Sequence, residues 1–219
     1  MPLLPDYNFK ISYGAGDDRL HDFYIPALSA SVRFDRSTGF FSSAALAIAA
    51  AGIARLIANG GHLRLLCGAE LSDADVEAIR RGEEAASVVD SALRGCLDDP
   101  ADQSQRARLE ALAWMIAHDD LEIRVVLPIG ADGLPLPAES AREYFHIKEG
   151  VFEDAAGNKL AFSGSSNDTE NGWKWNYESF DVYATWPRRQ GADEIPALLP
   201  YVRQVEERFR RLWEGTEPD

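Results

Sequence analysis

The sequence predicts an α/β fold, a mixed β-sheet flanked by helices, from three observations. An alanine-rich run ending at Ala58 is followed by Asn59-Gly60-Gly61 and the apolar run 62–67, a helix, its stop signal and a strand that together make half of a β-α-β unit. The turn-like composition of 153–158 separates two apolar runs, so 148–152 and 159–163 should pair as an antiparallel hairpin. The segment 197–213 carries Val202, Val205, Phe209 and Leu212 at helical spacing, with Pro200 tolerated in its first turn.

The elements follow in order. Residues 1–27 read as an irregular N-terminal segment draped on the core, punctuated by Pro5, Gly14, Gly16 and Pro26, with Asp17 and Asp18 as a small acidic cluster. A strand is expected over 32–41, with Phe34, Phe40 and Phe41, running into Ser42-Ser43 as the N-cap of the helix that ends at Ala58. That helix is apolar nearly all round, which suits burial between the sheet and another layer or in a subunit interface. Surface helices are expected over 73–81, 83–97 and 103–118, the last with Leu109, Leu112, Ala113 and Ile116 on one face. A buried-type strand follows at 121–127, then a Pro/Gly-rich loop over 128–137, and a further strand over 178–185.

With 219 residues and 46% hydrophobic content, the chain is most economically one domain, 1–219. No basic-then-apolar leader opens it, and its longest apolar stretch, 44–54, is too short to span a bilayer, so a cytoplasmic protein is expected. Cys67 and Cys96 have neither a metal-ligand spacing nor a disulfide framework and read as buried thiols. The net charge of −14 opposes nucleic-acid binding, which rests on Lys and Arg neutralising phosphate. Its distribution softens the objection. The acidic helical segment 70–120 holds thirteen Asp or Glu against five Arg, whereas 28–69 holds four Arg against one Asp. The absence of a G-x-x-x-x-G-K-[ST] loop removes P-loop nucleotide hydrolysis. Neither an exposed apolar lip nor a basic amphipathic helix suggests a membrane surface.

The chemistry concentrates in 144–185. His146 and Lys148 stand two apart, and sixteen residues past Lys148 the chain reads Gly164-Ser165-Ser166-Asn167. On a strand, residues two apart share a face, so the imidazole and the ammonium would be presented side by side. The hairpin would return Ser165 and Asn167 beside His146. A nucleophile that carries a proton, a fixed cation and two neutral hydrogen-bonding groups suit a phosphodiester undergoing substitution. Each residue also has a plainer reading: a strand histidine is often structural, Gly-Ser-Ser-Asn is an ordinary turn, and Glu178 fits a strand-edge carboxylate. His21, His62 and His118 have no motif around them and read as structural. Trp173 and Trp175 suit either stacking on an unpaired base or packing over the hairpin. Arg33 and Arg36 carry guanidinium groups suited to substrate phosphate, but a surface role is the better expectation.

The pattern H-x-K followed by G-S-x-N resembles the phospholipase D superfamily, whose motif is H-x-K-x4-D then G-S-x-N. Glu178, eleven residues beyond Asn167, matches the position of the glutamate that orients the histidine in the nuclease branch. The runs 37–42, 60–68, 159–169 and 209–213 are similar to the N-terminal phospholipase D-like domain of bacterial restriction and anti-phage proteins that carry DEAD/DEAH or SNF2-type helicases. The motif aspartate position is Glu153 here, with Asp154 next, which leaves a conservative replacement or a one-residue slip.

The resemblance implies an α/β/α sandwich and a hydrolase that needs no metal and no cofactor. His146 would attack phosphorus, and a second histidine would protonate the leaving oxygen and then activate water. One chain has one motif, so the second histidine implies a homodimer with a shared site. Lys148, Asn167 and Ser165 would hold the non-bridging oxygens, and Glu178 would fix the His146 ring. Three functions compete: a nuclease or DNA-sensing module of an anti-phage or restriction system, with DNA favoured over RNA; a lipid or small-molecule phosphodiesterase; and a non-catalytic module that binds nucleic acid or a partner. A helicase or ATPase would then lie on a partner or in a C-terminal fusion.

Overall fold

The computed structural model describes residues 1–39, 49–68, 110, 114–137, 145–166 and 178–217. The N-terminal segment is more ordered and more central than its punctuation suggests. It forms a turn at Leu4–Asp6, a short strand β1 (Ser12–Tyr13), and a π-helical turn (Leu20–Tyr24) that continues as helix α1 (Ile25–Ala30). Pro26 occupies the first turn of α1, where its missing N–H costs nothing, so it is part of a helix and not a break. Leu4, Phe9, Tyr13, Leu20, Phe23 and Leu28 are each at most 3% exposed, so this segment supplies one side of the core. Phe23 is its hub, with ring centroids of Phe9, Tyr13, Phe152, Phe162 and Phe180 within 5.9 Å.

The remaining strands are β2 (Arg33–Thr38), β3 (His62–Gly68), β4 (Leu121–Val126), β5 (Glu149–Glu153), β6 (Lys159–Gly164) and β7 (Phe180–Ala184), with helix α2 (Ala50–Ala58) between β2 and β3. They form one seven-stranded mixed sheet in the order β1-β7-β6-β5-β2-β3-β4. β2, β3 and β4 are parallel, which completes the β-α-β unit that the Gly60-Gly61 stop signal announces. β5, β6 and β7 run as an antiparallel meander, and β5 joins the two halves by pairing antiparallel with β2. A separate hairpin of β8 (Arg188–Gln190) and β9 (Asp193–Ile195) precedes the closing helix α3 (Leu199–Glu214).

Alternation along the strands sorts the two faces. Phe34, Phe152 and Leu160 lie in one cross-strand row and face the cluster built by the N-terminal segment, α1 and α2. Val151 and Ala161 point the other way, onto Val202 and Val205 of α3, while Leu66 meets Phe209 and Trp213. Beneath α3 the sheet also carries a row of alternating charge. Arg33 pairs with Glu153 at 3.2 Å and Glu206 at 3.1 Å, Lys159 reaches both carboxylates, and Arg64 grips the buried Asp35 with two bonds of 2.7 Å. Arg33 is thus occupied in joining α3 to the sheet.

Of the apolar face expected on 103–118, only the last turn is described. There Met115 enters the core while Ile116 is 46% exposed, so the buried face is turned by one residue from the expected one. Residues 114–117 are helical and the chain reverses at Asp119, whose φ of 59° is left-handed, to enter β4. The segments 40–48 and 69–109, with the acidic helices expected in them and Cys96, lie outside the described residues. Among the described residues, no helix is long and apolar enough to cross a membrane.

Candidate active site

The end of the sheet where the parallel strands β2, β3 and β4 finish is also where β5 and β7 begin and β6 ends. In open α/β sheets the crevice outside the carboxyl ends of parallel strands is the usual ligand site. The motif residues arrive there from several elements. His146 and Lys148 precede β5, Ser165 follows β6, and Glu178 precedes β7.

The strand expected from His146 onward begins only at Glu149, so His146 and Lys148 lie in extended chain ahead of it. The two side chains therefore have different surroundings. His146 is exposed, while Lys148 is 5% exposed and donates from Nζ to the His146 carbonyl at 2.9 Å. That bond fixes the ammonium against the backbone that carries the histidine. Burial pushes the Lys148 pKa below its usual 10.5, the positive charge of Arg36 lowers it further, and the Glu178 carboxylate opposes both.

β6 is locked to its neighbours at the motif. The Gly164 N–H donates to the Lys148 carbonyl at 3.1 Å, which ties the two halves of the motif directly. Ser165 is clamped to Ser179: its N–H donates to the Ser179 carbonyl at 3.0 Å and its Oγ accepts from the Ser179 N–H at 3.1 Å. The Gly164 position is crowded. A Cβ there would sit 2.2 Å from the Ser179 carbonyl oxygen and 2.5 Å from Phe180 Cα, so only glycine lets β6 and β7 approach this closely. Glu178, immediately before Ser179, is half-buried, and its carbonyl accepts a 2.6 Å bond from the buried Arg19. Asn167, Trp173 and Trp175 lie outside the described residues.

Glu153 and Asp154 have different surroundings. Asp154 is 2% exposed and accepts from the N–H groups of Leu4, Ala156 and Asn158 and from the Asn158 side chain, at 2.9–3.0 Å. It shapes the β5–β6 turn and fastens the N-terminus to it. Glu153 instead points to Arg33 beneath α3. The other described histidines sit apart from the motif: His21 meets Asp18, His62 meets Glu122, and His118 stacks on Trp114. Arg36 departs from the surface role expected of it. It is 0% exposed on the core face, with its guanidinium 4.9 Å from the Phe162 ring centroid and bonds to the carbonyls of Glu149 and Ser166. Among the described residues, no group of three or more His, Cys, Asp and Glu side chains is disposed to hold a metal ion.

No family model matches the sequence, and no curated protein does. Solved structures do match. NucT from Helicobacter pylori superimposes with a TM-score of 0.53 at 10% identity, over 93% of this chain and 94% of that one. Nuc from Salmonella typhimurium, a phospholipase D family member, gives 0.48 at 12% identity over 93% and 92%. The chain has a phospholipase D-like α/β fold. Phosphatidylserine synthase of Haemophilus influenzae also aligns, at 0.49 and 15% identity, with 90% of this chain on 37% of that one. In this phospholipase D-like fold the described motif residues meet at one sheet end. The supports that sequence reading missed are Arg19, Arg36 and the bond that Asp154 accepts from the Leu4 N–H, because each depends on acceptors or donors remote in sequence.

Proposed function

We propose that the chain is a phosphodiesterase that cleaves nucleic acid through a phosphohistidine on His146. The observation that carries this reading is the convergence of exposed His146, buried cationic Lys148, Ser165 and Glu178 at one end of a phospholipase D-like sheet. A neutral imidazole nitrogen of His146 attacks phosphorus, and the P–O bond to the leaving group breaks. A second histidine, His146 of the partner subunit in a homodimer, gives its proton to the departing oxygen and then takes one from the attacking water. Water replaces the imidazole on phosphorus, which frees His146 and releases the phosphate monoester. Lys148 stabilises the charge on the non-bridging oxygens, and we assign Asn167 and Ser165 to the same task. Glu178 orients the His146 ring. The cationic and amide donors of two subunits would supply the electrostatic stabilisation that other hydrolases take from a metal.

The resemblance of the motif runs to helicase-linked bacterial proteins supports a place in restriction or anti-phage defence, as the nuclease or DNA-sensing part working with a helicase. The net charge of −14 favours the alternative of a smaller phosphodiester, since a long duplex demands a broad cationic surface. One experiment separates these readings. Hydrolysis of bis(p-nitrophenyl) phosphate and of labelled single- and double-stranded DNA is followed in excess EDTA for wild type and His146→Ala. Chelator-resistant cleavage that falls by about 10⁴-fold or more in the variant is the expected result. Cleavage of the small diester alone selects the alternative, and loss of all activity in EDTA overturns the mechanism.

A further inference from the structure

We propose that Arg36 is a positioning residue of this site, a buried fork that ties the backbone carrying Lys148 to the backbone carrying Ser165 and Ser166. Its Nη1 donates to the carbonyl of Glu149, next to Lys148, at 3.1 Å, and its Nη2 donates to the carbonyl of Ser166 at 2.7 Å. Both acceptors are backbone atoms of the motif segments, one at the start of β5 and one just past β6. Arg36 itself belongs to neither motif and comes from the neighbouring strand β2, where it is in register with Gly150.

Its position is prepared by the residues around it. A Cβ on Gly150 would sit 2.5 Å from Phe162 Cε1, so the glycine makes room for the ring on whose face the Arg36 guanidinium rests at 4.9 Å. Burying a guanidinium completely is costly, and a residue that served only to fill the core would be apolar. A lysine has the charge but not the planar fork, so it cannot serve two separated carbonyls in this geometry.

The arginine also acts on Lys148 through charge. Around the Lys148 ammonium stand Arg36 from β2, Glu178 ahead of β7, His146 on its own segment, and Glu149, whose carboxylate is turned away to Arg208 and Ser163. After burial, Arg36 is the largest influence lowering the Lys148 pKa. Geometry and charge therefore make separable predictions for two variants.

The kinetic arm rests on the phosphodiesterase reading, and the titration arm does not. Wild type, Arg36→Met and Arg36→Lys are titrated by ¹³C NMR of the lysine side chains, with Lys148 assigned from the signal missing in Lys148→Arg. Turnover of bis(p-nitrophenyl) phosphate is measured in parallel. Arg188→Met is the control for folding cost, because Arg188 is also a buried arginine on backbone carbonyls, those of Phe9, Lys10 and Val182, outside the motif segments. Arg36→Met should move the Lys148 titration to higher pH and lower kcat by about 10²-fold, the usual cost of a small misplacement. Arg36→Lys should keep the Lys148 titration near that of wild type yet still lose turnover, and Arg188→Met should do neither at an equal loss of melting temperature. An unmoved Lys148 titration in Arg36→Met, or full turnover in Arg36→Lys, overturns the proposal. If wild type hydrolyses no diester, the phosphodiesterase reading fails and the titration arm still decides the coupling. If Arg36→Met does not fold, Arg36→Lys decides by its turnover relative to Arg188→Met.

Discussion

At the scale of single residues, the balance of charge on Lys148 sets how the site responds to pH. An ammonium that must stay protonated to hold phosphate oxygens gives an alkaline limb to the rate profile. Because burial and Arg36 both depress its pKa, that limb falls below pH 10.5. Glu178 pulls in the opposite direction, so Glu178→Gln removes a raising influence and the limb should move to lower pH. Turnover on the plateau should also drop, by about 10²-fold if the carboxylate orients the His146 ring. A pH–kcat profile of the two proteins checks both effects, and a limb that stays put or moves to higher pH contradicts the charge assignment. The sign for stability follows from the same shift. Between the depressed folded pKa and 10.5 the unfolded chain holds the extra proton, so stability rises with pH through that window. Below it the buried charge is a standing cost to stability. The spacing of His146 and Lys148 is legible in the sequence, but the burial of Lys148 is not, and neither is that of Arg36, whose acceptors lie 113 and 130 positions away.

At the scale of elements, the hairpin β5–β6 and its neighbour β7 carry the site, and Gly164 sets how closely β6 and β7 approach. An alanine there meets backbone on the opposite side, at 2.2 Å from the Ser179 carbonyl oxygen, and backbone cannot swing away as a side-chain tip can. Gly164→Ala should therefore cost about 1–3 kcal/mol in urea denaturation and break the Ser165–Ser179 clamp, lowering turnover beyond what unfolding explains. Wild-type stability and activity in this variant would show that the strands have slack that the contacts do not suggest. The hairpin itself is easy to read, because turn residues sit between two apolar runs and the buried Asp154 organises the turn from within it. The N-terminal segment is hard to read. Its aromatic residues become core through contacts with β5, β6 and β7 far along the chain, and its π-helical turn follows no simple apolar period. The short hairpin β8–β9 is polar on most positions and so leaves no strand pattern to detect.

At the scale of the whole molecule, the α/β class and the parallel order of β2 and β3 were accessible because a helix and a stop signal intervene between two apolar runs. On the proposed phosphohistidine mechanism, one chain leaves the chemistry incomplete. The motif occurs once, whereas displacement at phosphorus followed by hydrolysis uses one histidine as nucleophile and another as acid and base. A two-fold axis through the site supplies the second histidine without any new sequence, and it requires each subunit to be equivalent. This makes a quantitative prediction. Wild-type and His146→Ala subunits are coexpressed with different tags, and the mixed dimer is isolated by both. If two histidines share one phosphate, the mixed dimer has lost either its nucleophile or its acid, and its turnover should fall to that of the doubly substituted protein. Independent sites would leave it about half of the wild-type rate. In an unsorted mixture of equal subunits the shared site should likewise give about a quarter of full activity, because only dimers with two intact histidines turn over. A mixed dimer with half activity, or a wild type that remains monomeric by solution mass while cleaving diesters, would place the second catalytic group elsewhere in the chain and exclude the shared site.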